Sequence, residues 1–176
     1  MRPEPEYVVI VDKKDRVLRR VTRKEMRTKG LRHRSTAILV FNSKGELFVH
    51  KRTATKDVFP SYYDIAVGGV VESGETYETS AKRELAEEVG ITRVELEFLF
   101  KVQYESLHHK CFTATFSCVY DGPLKLQEEE IEEGFFADLE TAKELVSQKQ
   151  ICPDSEKVLE YFLNFQKERF QGLEHH

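Results

Sequence analysis

A chain of 176 residues has room for one compact domain with its own core and little more. Its 40% hydrophobic and 33% charged residues exclude a disordered class, and no apolar run approaches the roughly 18–20 residues of a membrane-spanning helix. A net charge of -4 argues against coating a nucleic-acid polymer, although Lys29, Arg32 and Arg34 make a local basic patch.

Residues 7–11 (YVVIV) and 16–21 (RVLRRV) are β-rich runs around a polar DKKD, which predicts a hairpin. Thr22 with Glu25 has the spacing of a capping box and Gly30 is a stop signal, so 23–29 reads as a short helix. Runs 35–42 and 46–52, joined by SKG, predict a second hairpin whose first strand is buried throughout. A loop with Pro60 leads to YDIAVGGVV, 63–71, a strand interrupted by two glycines, and then to a segment of helical period over 76–89. Further strands are expected at 94–105, 111–120 and 133–139, the last leading into a helix near 140–148. A final amphipathic helix over 154–169 turns Val158, Leu159, Phe162 and Phe165 inward. Strand-rich order with helices coming singly predicts a mixed α/β (α+β) sheet with helices on its two faces.

Three cysteines, Cys111, Cys118 and Cys152, are too few and too scattered for a disulfide framework or a paired CxxC site, and read as buried thiols. The N-terminus lacks a secretory pattern, so a cytoplasmic location is expected, and LEHH at 173–176 reads as the start of a histidine tag.

The stretch that carries chemistry is GVVESGETYETSAKRELAEEVGI, residues 69–91. At 100° per residue Glu84, Glu87 and Glu88 share one helix face, and Ala81, Leu85 and Val89 form an apolar stripe beside it. Three close carboxylates repel unless something positive sits among them, and a hard divalent cation with oxygen ligands meets that need. Taken alone, the three glutamates read as a solvated helix face. The spacing of Gly69, Glu75, Arg83-Glu84-Leu85, Glu87-Glu88 and Gly90-Ile91, however, resembles the Nudix signature, G-x5-E-x7-REU-x-EE-x-GU, at every defined position.

That resemblance implies an α/β/α sandwich with a largely antiparallel mixed sheet, and a hydrolase of pyrophosphate bonds in nucleoside diphosphates linked to another moiety. It implies Glu84, Glu87, Glu88 and the backbone of Gly69 as ligands of Mg²⁺, with Mn²⁺ as a substitute. Glu75 is the helix-start glutamate, and Arg83 orients a glutamate by salt bridge. The proton acceptor is expected at Glu87 or Glu84, or in the acidic run at Glu128, Glu129, Glu130, Glu132 or Glu133. Gly69 also has a physical reason, since backbone passing close to a metal or phosphate leaves no space for a side chain.

Residues 31–64 are similar to the region ahead of the catalytic loop in isopentenyl diphosphate isomerases and their nearest bacterial Nudix hydrolases. Ala66 and Gly69 stand where those isomerases carry a cysteine and a metal-binding histidine, which favours hydrolysis, while His33 matches another of their metal-site histidines. His33, Arg52, Tyr63 and Glu130 are the expected substrate-side residues. His50, His108 and His109 carry no expected role, His108 and His109 forming an exposed hairpin tip. No proline lies between Ile91 and Pro123, against the ADP-ribose-type marker. The expected partner is a phosphorylated small molecule rather than a nucleic-acid polymer or membrane, with a homodimer as a possible assembly. The alternatives are an isomerase-like enzyme and a non-catalytic nucleotide-binding regulatory module.

Overall fold

The structure, a computed structural model, describes residues 4–56 and 58–173. Residues 174–176 of the tag-like tail lie outside them. In chain order the elements are β1 (Tyr7–Val11), β2 (Val17–Thr22), α1 (Arg23–Lys29), β3 (His33–Phe41), β4 (Leu47–Arg52), β5 (Tyr63–Asp64), α2 (Tyr77–Val89), β6 (Glu97–Glu105), β7 (Lys110–Val119), β8 (Ile131–Ala137), α3 (Leu139–Ser147) and α4 (Pro153–Leu173). None of the described helices is long and apolar enough to cross a membrane.

The central strand is β3, whose continuous apolar run follows from burial on both faces. Its alternating side chains divide the core. Ala37 and Leu39 pack with Val158, Leu159 and Phe162 of α4, whereas Ile38 and Val40 pack with Ala81, Leu85 and Val89 of α2. The result is the expected helix–sheet–helix layering. Each fully buried Leu or Val on α2 contributes roughly 1.5–3 kcal/mol to holding that helix on the sheet.

The main sheet runs β5-β4-β3-β7-β6, with β8 paired to β4. It is mixed because β3 and β7 are parallel from His33↔Cys111 to Phe41↔Val119, while β6 and β7 are antiparallel. The expected second hairpin survives only at its turn: β3 and β4 pair at Phe41↔Leu47 and then diverge. The gap between them is filled by residues 67–70, which bridge β3 at Ile38↔Val67 and Ser35↔Val70, while β4 turns to β5 and β8. This glycine segment passes so close to β3 that a Cβ on Gly68 would lie 2.2 Å from the Thr36 carbonyl oxygen, at a φ of +154°. Only glycine allows that approach.

The predicted N-terminal hairpin forms as a separate two-stranded sheet. Val8, Ile10, Val21 and Met26 enclose a third small core with Val70, and Val8 bridges Glu72. Asp15 in the hairpin turn takes Arg34 at 2.8 Å, Lys101 at 2.6 Å and the Tyr77 hydroxyl at 2.9 Å. The hairpin and the helix that follows it are thereby clamped beside the glycine segment and the start of α2.

Candidate active site

Local chemistry starts α2 at the right place. Thr76 accepts from the Thr79 amide at 3.1 Å, and the Thr79 hydroxyl accepts from the Thr76 amide at 2.9 Å. Gly90 closes the helix at a φ of 73°, the left-handed conformation that favours glycine. Between these caps, Glu84 lies against the glycine segment, and Glu87 stands beside residues 125–129.

Arg83 is the organiser of this face. Its guanidinium donates to both Glu75 oxygens at 2.6 and 3.1 Å, to Glu84 at 3.0 Å and to Glu87 at 3.2 Å. Hydrogen bonding to Glu75 is the main reason its pKa is raised, so the cation is permanent. Burial works against ionised Glu75, yet Arg83 and the Glu72 amide hold that carboxyl below its usual value.

The three expected ligand residues differ in their surroundings. Glu84 is only 9% exposed, and its carboxylate lies against the Gly69 backbone: a Cβ on Gly69 would sit 2.5 Å from Glu84 Oε1. Glu87 is exposed. Glu88 makes no side-chain hydrogen bond among the described residues, and burial pushes its carboxyl well above the usual range, with Glu84, Asp64 and Glu130 adding repulsion. Burial likewise raises Glu84, against the opposing effect of Arg83. Arg83 offsets this only in part at Glu84, and crowded, desolvated carboxylates with an all-oxygen donor set match a hard divalent cation. The Gly69 carbonyl accepts from the Thr36 amide at 2.9 Å, which leaves one of its lone pairs for such an ion.

A cavity of about 150 Å³ opens beside Gly68 and Gly69. His33 and Arg52, both expected on the substrate side, line it. His33 Nδ1 lies 3.0 Å from the Leu31 carbonyl, so that nitrogen carries the proton and Nε2 is left as an acceptor. Burial first, and then neighbouring cations, depress His33 to about 4, so the ring is neutral. Arg52 donates to the Val58 carbonyl at 3.0 Å and stands 3.7 Å from Asp64. Glu130 pairs with Lys56 in an adjoining cavity of about 370 Å³.

Tyr63 corrects an expectation. Its ring meets Phe135 edge-on at 6.3 Å, its hydroxyl donates to Glu133 at 3.2 Å, and it does not line either cavity. The reason is register. Tyr63 pairs with Lys51, and strand alternation turns its ring onto the α4 side of the sheet. His109 departs from the exposed-tip reading as well, since it packs edge-on to His33 at 5.2 Å and lines the cavity. The three cysteines are buried and free, as expected.

Sequence reasoning overlooked Lys56, Asp64, Asp154 and the two arginines of α1, Arg23 and Arg27, all of which line the cavity. Asp154 opens α4 and is raised to about 6 by burial and by Asp64. Helical spacing puts Arg23 and Arg27 on one face, which was readable; that this face meets a site was not.

The NUDIX domain family matches residues 31–162. A Nudix hydrolase of Pseudomonas aeruginosa is 43% identical over 161 residues, covering 92% of this chain and 95% of its own. Nudix hydrolase YfcD of Escherichia coli is 37% identical over 155 residues, 88% of this chain and 84% of its own. A crystal structure from Deinococcus radiodurans superimposes with a TM-score of 0.78 over 88% of this chain and 98% of that one; at 23% identity the likeness concerns the fold. The same holds for the E. coli dihydroneopterin triphosphate pyrophosphohydrolase, with TM-score 0.59, 18% identity, and coverage of 73% and 93%. The domain match, the coverage of these relatives and the intact glutamate helix together establish that the chain belongs to the Nudix hydrolase family.

Proposed function

We propose that this Nudix hydrolase is divalent-metal-dependent and cuts the pyrophosphate bond of a nucleoside diphosphate linked to another moiety. The single observation that carries the reading is the pair of Glu84 and Glu88, two carboxylates raised by burial and by neighbouring carboxylates, with Glu84 lying against Gly69, a residue of the cavity wall. Glu84, Glu87, Glu88 and the Gly69 carbonyl would hold Mg²⁺, or Mn²⁺ in its place. A bound ion of this kind supplies charge neutralisation at phosphate oxygens and a lower pKa for the attacking water.

The chain's own residues do the rest. Arg83 keeps Glu84 and Glu87 aimed through the hydrogen bonds described above. Glu87, open to solvent and held by Arg83, accepts the proton of the attacking water, with Glu130 as the second candidate. Arg52 and Lys56 offer positive charge to phosphate oxygens, and neutral His33 offers an acceptor to the group beyond them. Ala66 lines the cavity as a bare methyl group, which gives an isomerase no proton-transfer group there.

The test is product analysis with nucleoside triphosphates, dinucleoside polyphosphates and ADP-ribose in Mg²⁺ or Mn²⁺. Turnover that EDTA abolishes and that Glu88→Gln lowers by on the order of 10²–10³ is expected, the size typical of removing one preorganised electrostatic partner of the reacting charge. Tight nucleotide binding with no turnover under any metal would replace this reading with that of a regulatory module.

A further inference from the structure

Among the described residues, His33, His109 and Cys111 each bring a possible ligand atom to within 4.8 Å of the other two. The hydrolytic reading uses His33 alone. His33 opens β3 and pairs with Cys111 in the parallel register of β7, so both side chains leave the sheet on the same face. His109 comes two residues earlier, in the turn between β6 and β7, and its ring meets His33 at 5.2 Å and Tyr104 at 5.5 Å.

The spacing suits a tetrahedral ion. Zinc bonds of about 2.0–2.1 Å to nitrogen and about 2.3 Å to sulfur set a nitrogen and a sulfur ligand about 3.5 Å apart. His109 Nε2 and Cys111 Sγ already stand 3.4 Å apart. The widest pair of ligand atoms has at most about 1.5 Å to close, and His109, half-buried on a turn, is the ring with room to move. The other two donors are fixed from behind. His33 Nδ1 donates to the Leu31 carbonyl at 3.0 Å, the outer hydrogen bond that orients a ligating histidine and turns Nε2 to the ion. Thr113 Oγ1 lies 3.6 Å from Cys111 Sγ and 2.7 Å from Ser35 Oγ, a hydroxyl pair able to donate to a thiolate. His33, His109, Ser35 and Thr113 all line the cavity of about 150 Å³, which gives an ion its path of entry.

Two nitrogens and a sulfur select a softer ion than the oxygen set of α2, Zn²⁺ rather than Mg²⁺. The charges facing the group are mixed. Arg27 bears on both histidines, Arg23 on His33 and Arg32 on Cys111, while Asp154 opposes them at Cys111. These cations work against an ion held by neutral donors alone, so the sulfur decides the matter. On binding, the Cys111 S–H bond breaks, its proton passes to solvent, and the thiolate brings a negative charge to the zinc.

We propose that His33, His109 and Cys111 form a zinc site with donors distinct from the glutamates, its fourth position open to the cavity, and that zinc there excludes substrate by taking His33 Nε2. The exclusion rests on the reading of the cavity as the substrate site of a hydrolase; the binding does not.

Co²⁺ is the probe for binding, because a cobalt–thiolate bond gives a charge-transfer absorption that histidines, those of the tail included, cannot give. It is titrated, with Mg²⁺ saturating, into the intact reduced protein, Cys111→Ser, His109→Gln and Cys118→Ser. The band is expected to saturate at one equivalent in the parent and in Cys118→Ser, whose sulfur lies in the core on the α2 side of the sheet, and to vanish on addition of Zn²⁺. It should be absent from Cys111→Ser. His109→Gln should need at least about 10-fold more Co²⁺, the lower end of what losing even an outer partner of a metal ligand costs. No band in the parent, a band that survives Cys111→Ser, or parent-like affinity in His109→Gln would overturn the site. His109→Gln changes a half-buried turn residue and decides the question if Cys111→Ser does not fold, its melting temperature without metal serving as the control. In kinetics with Mg²⁺ saturating, Zn²⁺ should compete with a nucleoside triphosphate in the parent, and Cys111→Ser should need at least about 10-fold more zinc for the same inhibition. Equal inhibition of both would overturn the exclusion of substrate. A parent that gives the band but turns over no substrate loses the hydrolase reading and keeps the zinc site.

Discussion

Two helices pack beside the glycine segment, α1 through Met26 against Val70 and α2 through Glu84 against Gly69, and share one plan at their ends, yet their charges do opposite things. α1 and α2 each start on a threonine that accepts the amide three residues on at 3.1 Å, and each stops on a glycine with φ of 57° or 73°. Between the caps they diverge. α2 buries Ala81, Leu85 and Val89 and draws Glu84 into the protein with them, whereas α1 buries Met26 alone and leaves its basic residues toward solvent. Caps decide where a helix begins and ends, and packing decides what its charges face. The carboxylates pulled in by α2 repel one another, whereas on α1 Arg23 pairs with Glu6 and Lys29 with Glu25.

The sharpest way to break this comparison is Arg83→Lys. A lysine keeps the charge but cannot span Glu75, Glu84 and Glu87 at once, so kcat should fall about 10- to 100-fold with a matching rise in the Mg²⁺ concentration required. Steady-state kinetics across a metal titration reads both, and an unchanged kcat would remove Arg83 from the positioning role.

A smaller effect separates the helices by pH. Glu84 and Glu88 have folded values above the ordinary 4.5, so the folded chain binds their protons more tightly than the unfolded chain does. Their stabilising contribution is complete below about pH 4.5 and is lost as the pH rises through the raised folded values. Scanning calorimetry in EDTA should therefore show a melting temperature that falls toward neutral pH, less steeply in Glu88→Gln, and a flatter profile with Mg²⁺. Identical slopes for the parent and Glu88→Gln would mean that Glu88 is not the strained group.

Smallest are the caps. Thr22→Ala and Thr76→Ala should each cost about 1 kcal/mol in urea unfolding. Their functional signatures should differ: Thr76→Ala lowers kcat by loosening the glutamates, and Thr22→Ala, on a helix that carries none of them, leaves kcat within about two-fold. The same kinetic signature from both would erase the distinction between the two helices.

The legible parts of the fold were those whose causes lie within a few residues. Thr76, Gly90 and the stripe of Ala81, Leu85 and Val89 announced α2 because caps and helical period are local properties. Only part of the capping box read at Thr22 forms. Its hydroxyl takes the Glu25 amide, but the Glu25 carboxylate goes to Arg19 and Lys29. The hairpin over 35–52 was read too far because strand propensity does not say which edge a strand will use, and residues 67–70 compete for that of β3. Tyr63 was misplaced for the same reason, since its direction depends on pairing with Lys51.

By itself the sequence determined the glutamate helix, the arginine that aims it and the glycines that let it approach the sheet. Those follow from spacing along one helix and from the absence of side chains at Gly68 and Gly69. The tertiary structure alone decided what surrounds them. Docking of the N-terminal hairpin through Asp15 brings Arg23 and Arg27 to the cavity, and α4 brings Asp154. Desolvation and the fields of Asp64, Glu130 and Lys56 set the charge state of Glu88. Such effects arise between groups far apart in the chain, and they depend on distance and exclusion of water, neither of which spacing along the chain encodes.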